Sequence, residues 1–182
     1  SLIICGQLMT ISNDKNHWLR QPYMPVSYAT IYLDLAVERG VPATQVLQHA
    51  GLNARLLSDL TGRISPLQYV NLIAAVLALT GDHGLGFEVG ARQPLTAHGS
   101  LGYALLCCSR VDEAILLLLR FWHIRGRGIR LSSFQQSENL VFEFHSDMPI
   151  SEAIRRVLFD AMLSGFYHSL RFILSESQLL GE

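Results

Sequence analysis

Apolar residues recur at helical spacing over most of the chain and switch to alternation only once, between residues 129 and 145. After Pro22 and Pro25, Tyr28, Ile31, Leu35 and Val37 fall on one side of a segment that Gly40 stops, which predicts a helix. Two short helices follow in "VPATQVLQHAGLNARLLSDL", meeting at Ala50-Gly51-Leu52. "SPLQYVNLIAAVLALTGD" opens with Ser65 as N-cap and Pro66 at the first helical position, and its apolar circumference predicts a buried helix. "HGLGFEVGAR" reads as short and irregular, because Gly84, Gly86 and Gly90 each weaken a helix by about 1 kcal/mol relative to Ala. Two more helices flank Ser109, and "RGIRLSSFQQ" and "NLVFEFHSD" alternate around "SEN" as a hairpin. "SEAIRRVLFDAMLSGFYHSLRFIL" returns to a long helix with Ser151 as its cap, carrying Phe159, Met162, Phe166 and Leu170 as a stripe that suits either a core face or a dimer seam.

This order predicts a predominantly α-helical α+β fold: a bundle-like helical body with one small antiparallel hairpin. A lone hairpin is marginal in water, so strands 129–134 and 140–145 need a third partner or a covering helix; of a strand from residues 1–25 and chain continuing beyond Glu182, continuation is the expectation.

The helical corner at residues 41–60 has the outline of a DNA-reading helix-turn-helix, but charge argues against it. Between residues 41 and 65 the ionised side chains are Arg55, Asp59 and Arg63, a net of +1, too little to neutralise phosphates. The net charge of −1 over all 182 residues argues against a general polyanion binder and leaves room for a local basic patch. Charged residues make up only 16% of the chain against about 25% in typical soluble domains, so much of the surface must be buried in a core or against something else.

Candidate chemistry is sparse. Cys5, Cys107 and Cys108 form no disulfide framework and read as thiols in a reducing cytoplasm. The seven histidines make no metal-ligand spacing, phosphate-binding glycine motifs are absent, and neither a metal nor a cofactor is expected. "SLIICGQLM" lacks a preceding basic segment and does not read as a signal peptide, and "AILLLLRFW" is far shorter than the roughly 20 residues that span a bilayer. Ser100, Cys107 or Cys108 beside His98 or His123 would be the raw material for catalysis, but no sharp motif surrounds them, and no enzyme is expected.

One series of motifs is more specific than any of its parts. Thr80-Gly81-Asp82 with Leu85, Gly86 and Gly90 is followed by a glycine turn from Gly99 to Ser109, then by Glu113, Ala114, Arg120 and Phe121, then by the two strands. This order resembles the N-terminal arabinose-binding-like domain of the AraC/XylS family of bacterial transcription regulators, and the likeness runs from about residue 27 to about 174. The resemblance implies an effector-sensing, dimerising regulatory domain in a cytoplasmic protein, with promoter DNA contacted through a separate C-terminal domain. On this reading residues 1–25 are an N-terminal extension. Residues 26–182 are the sensing domain, expected to be truncated, with the DNA-binding domain absent from this chain. A protein-interaction or dimerisation module without a small-molecule effector is the alternative.

For a sensor, polar groups set among apolar ones are the candidate ligand contacts. From Arg110 to Arg130 five arginines face Asp112 and Glu113, a net of +3, interleaved with Phe121, Trp122 and His123. A guanidinium fork can grip a carboxylate or phosphate while an aromatic ring packs beside it, so Trp122, His123, Arg125 and Arg127 suit an anionic, partly apolar effector. His98 and Tyr103 straddle the glycine turn as a pocket rim.

Overall fold

The computed structural model describes residues 17–55, 59, 61–146 and 148–179, with side chains to residue 173, and the backbone of 2–4 and 7–9. Strands β1 (Leu2–Ile4) and β2 (Gln7–Met9) pair with each other, so they add no strand to the later hairpin. The chain then forms β3 (Met24–Pro25), α1 (Ser27–Glu38), α2 (Ala43–Ala50), β4 (Arg63–Ile64), α3 (Pro66–Thr80), α4 (Leu85–Arg92), α5 (Ser100–Leu106), α6 (Val111–Phe121), β5 (Ile129–Gln136), β6 (Asn139–Ser146) and α7 (Glu152–Leu179). The fold is predominantly helical α+β, with strands only in antiparallel pairs among the described residues: β1 with β2, β3 with β4, β5 with β6.

Local chemistry accounts for the boundaries. At the start of α3 the Gln68 N–H donates to Ser65 Oγ (3.2 Å) and the Ser65 N–H donates to Gln68 Oε1 (2.8 Å), a complete capping box followed by Pro66. Helix α3 buries Tyr69, Val70, Leu72, Ile73, Ala75 and Val76, as its apolar circumference requires. Helix α2 belongs to the same core through Val46, Leu47 and Ala50, and residues 56–58 and 60 of the second helix expected in the 41–60 corner lie outside the described residues. Along α1 the buried side is Tyr32, Leu33, Leu35 and Ala36, whereas Val37, expected on the apolar face, is 53% exposed; two residues past Leu35, it has turned to the far side of the helix.

Residues 85–92, expected to be irregular, form helix α4. Its glycines are used for proximity: a Cβ on Gly86 would overlap the Val157 carbonyl, and one on Gly90 would overlap the Ala161 carbonyl and the Gly165 nitrogen. The propensity lost at two glycines is offset by backbone-to-backbone packing of α4 on α7, which no larger residue permits. Ion pairs tie the same helix to the end of α1, from Arg39 to Asp82 and Glu88 and from Arg92 to Glu38.

The hairpin runs from Ile129 to Ser146, with Gln136 opposite Asn139 and Ser137 at φ 56° in the turn. It is covered by α7: Phe142 and Phe144 meet Phe166 edge-on at ring distances of 5.1 and 6.3 Å. The hairpin is therefore covered by a helix of this chain rather than by a strand from residues 1–25. A main core joins α1 to α4 with the first half of α7, and a smaller cluster gathers Leu101, Leu105, Ala114 and Ile173.

Candidate functional site

Between the two clusters lies a cavity of about 180 Å³. An apolar cavity of roughly 150 Å³ takes up a benzene molecule, so this one has room for one compact organic molecule. Its floor and far wall are apolar: Leu101 and Leu105 from α5, Ala114 and Leu118 from α6, Phe144 from β6, and Met162, Phe166, Leu170 and Ile173 from α7. Three of the four residues in the 159–170 stripe thus line this cavity.

Polar groups converge on one side. The Tyr28 hydroxyl and His98 Nδ1 share a hydrogen bond of 2.7 Å, joining α1 to the loop before α5. Arg125 Nε donates to the His98 carbonyl at 2.8 Å. Its guanidinium lies against Gly99, whose φ of 60° and missing Cβ leave the space that the group occupies. Gln93 also lines this side and is a hydrogen-bond neighbour of Tyr28. Arg127 sits 4.9 Å from the centre of the Tyr23 ring, in cation–π geometry. Trp122 is fixed by donation from Nε1 to the Ile129 carbonyl (2.7 Å) and by edge contact with Phe144 at 5.5 Å.

Burial, then the Arg125 charge, pushes the His98 imidazole down to about 4, so it is neutral at pH 7. Burial likewise pushes the phenols of Tyr23 and Tyr28 up to about 12, and they stay protonated. The charge at the cavity is therefore positive and carried by arginine. No Asp or Glu occurs among the described residues that line it. Among the described residues, neither Nη atom of Arg125 meets a hydrogen-bond acceptor, and Arg127 has no carboxylate partner.

Of the six residues singled out in the sequence, His98, Trp122, Arg125 and Arg127 come together on this cavity. Tyr103 and His123 do not line it. Tyr103 is 59% exposed on the outer side of α5, because Leu101, Gly102 and Leu105 turn inward, and His123 is exposed beside Phe121 at a ring distance of 6.4 Å. Tyr23, Tyr28 and Gln93 escaped the sequence reading. Tyr28 sits on a helical stripe where a tyrosine reads as core, and only its contact with His98, 70 positions away, brings it to the cavity's polar side.

Residues 40–180 match the family model described as the arabinose-binding domain of AraC transcription regulators, N-terminal. The ornithine utilization regulator of Pseudomonas aeruginosa is 31% identical over 130 residues, covering 71% of this chain and 38% of that protein. Two uncharacterized HTH-type transcriptional regulators, of Mycobacterium bovis and Mycobacterium tuberculosis, are each 27% identical over 120 residues, 65% of this chain and 35% of each relative. The chain spans little more than a third of the length of these relatives.

Proposed function

The chain belongs to the family of N-terminal arabinose-binding domains of AraC transcription regulators, and from that premise we propose that its cavity takes a small-molecule effector and so controls a regulator. The observation that carries this reading is the apolar cavity with the Tyr28, His98 and Arg125 group on one side, the composition of a small-molecule site. His98, Trp122, Arg125 and Arg127 are its proposed ligand contacts, and Tyr103 and His123 are left out of that set. The effector is bound and released unchanged, without catalysis or cofactor. It acts only by preferring one arrangement of the domain over another, a difference of roughly 1 to 3 kcal/mol in ordinary couplings.

In the whole protein, a cytoplasmic regulator on this reading, promoter DNA is contacted by a helix-turn-helix segment beyond the matched third. The relatives' description as HTH-type regulators supports this. Homodimerisation is part of the proposal, supported by Leu163 and Tyr167, one turn apart on α7 and both more than half exposed. Sedimentation of the chain and of a Leu163→Glu, Tyr167→Glu variant tests it: dimer lost in the variant supports the seam, and a monomeric parent chain removes it. No helix of the described residues is long and apolar enough to cross a membrane.

A thermal-shift screen against metabolites tests the effector. A ligand at 100 times its Kd adds about 2.7 kcal/mol, which at about 2 to 4 °C per kcal/mol raises Tm by roughly 5 to 11 °C. A reproducible rise with one chemical class supports the sensor. A flat response across all classes favours the interaction module.

A further inference from the structure

We propose that the cavity selects compact apolar monocarboxylates that carry no ammonium group, an assignment that rests on the effector-cavity reading above. Its basis is how Arg125 is placed: Arg20, Arg63, Arg120 and Arg171 also meet no carboxylate among the described residues but are exposed, whereas Arg125 is half-buried on the cavity. Arg39, Arg92, Arg110 and Arg155 are each engaged by a carboxylate of the protein itself. Arg125 has none among the described residues, yet it is held in place. Nε is committed to the His98 carbonyl and Nη2 lies against Gly99, so the fork is oriented before a ligand arrives. A fixed guanidinium without a counter-ion is the group that a carboxylate meets bidentately.

The sign and size of the charge narrow the class. Arg125 is half-buried while Arg127 is exposed, so one positive charge is desolvated, matching a monoanion better than a phosphate dianion. An ammonium group would find no Asp or Glu among the described lining residues, and a buried unpaired charge is strongly unfavourable. The remaining wall is mostly apolar, with Phe144, Phe166 and Leu105 offering contact to an aliphatic chain or ring and Ser169 adding a hydroxyl. The cavity of about 180 Å³ keeps that chain or ring short.

The test titrates the unmodified chain calorimetrically with two matched series: hexanoate, hexanamide and norleucine, then phenylacetate, phenylacetamide, 2-phenylglycine and phenyl phosphate. In each series the three compounds of one skeleton differ only in the carboxylate or in an added ammonium. In at least one series the acid is expected to bind tenfold or more tighter than its amide, its amino acid and, for the aromatic set, the phosphate. In Arg125→Ala the acid should lose tenfold or more in affinity and the amide much less, so that the preference for the acid disappears; equal losses for acid and amide overturn the assignment. An amide, amino acid or phosphate that binds as tightly as its acid overturns the ligand class and leaves the effector cavity standing. No binding by any member overturns the ligand class, and a flat metabolite screen beside it overturns the effector cavity as well.

Discussion

Replacing His98 by Gln removes a titrating group while keeping a side chain that can meet the Tyr28 hydroxyl. In the folded protein the imidazole is held at about 4, first by burial and then by Arg125, against 6.5 in the unfolded chain. Between these values the unfolded state binds a proton that the folded state refuses. Stability from this group is therefore fully present above pH 6.5 and lost as pH falls towards 4. Between pH 7.5 and 4.5 the loss comes to roughly 2.5 kcal/mol, at 1.36 kcal/mol per pH unit over most of that interval. The depressed carboxyls of Glu38, Asp59, Asp82 and Asp112 add their own acid dependence, but it is common to both proteins and cancels in the difference. Thermal melts of parent and His98→Gln across this range should diverge: the parent loses about 5 to 10 °C more than the variant on acidification, at about 2 to 4 °C per kcal/mol. Parallel curves would refute the account of a buried, neutral His98 beside Arg125.

Three further outcomes follow from packing and capping. Gly90→Ala should destabilise by about 1 to 2 kcal/mol, since overlap with α7 outweighs the gain in helix propensity; urea unfolding checks this, and a variant as stable as the parent would mean that the two helices separate freely. Ser65→Ala should cost about 1 kcal/mol by opening the capping box of α3, read as a Tm lowered by about 2 to 4 °C. Phe166→Ala should cost about 3 to 5 kcal/mol and loosen the hairpin that its ring covers, seen as faster amide exchange across β5 and β6.

The features legible in the sequence are those that local physics decides. Ser65-Pro66 announces its helix because cap and first turn lie within four residues, and the 129–146 hairpin shows itself by its change of period. Gly86 and Gly90 mislead for a physical reason: propensity counts what a glycine loses alone and cannot register a second helix against it. The site is legible only in part. Trp122, Arg125 and Arg127 stand out as an Arg-aromatic cluster, and His98 as a polar residue at a glycine turn. What joins them around one cavity is Tyr28, Tyr23 and Phe166 brought from α1, the segment before it and α7, contacts of long sequence separation that leave no mark on periodicity. Tyr103 and His123 share the neighbourhood in sequence but face outward, because one turn of helix separates a cavity wall from solvent.

If the space between the two core clusters is a ligand site, Trp122 on its wall is a built-in reporter. In a Trp18→Phe protein, the fluorescence of Trp122 titrated with the hexanoate and phenylacetate series should change saturably with at least one compound, and the change should vanish in Ser169→Phe, where a ring occupies the cavity. No saturable change, or the same change in the filled variant, would contradict a ligand site there.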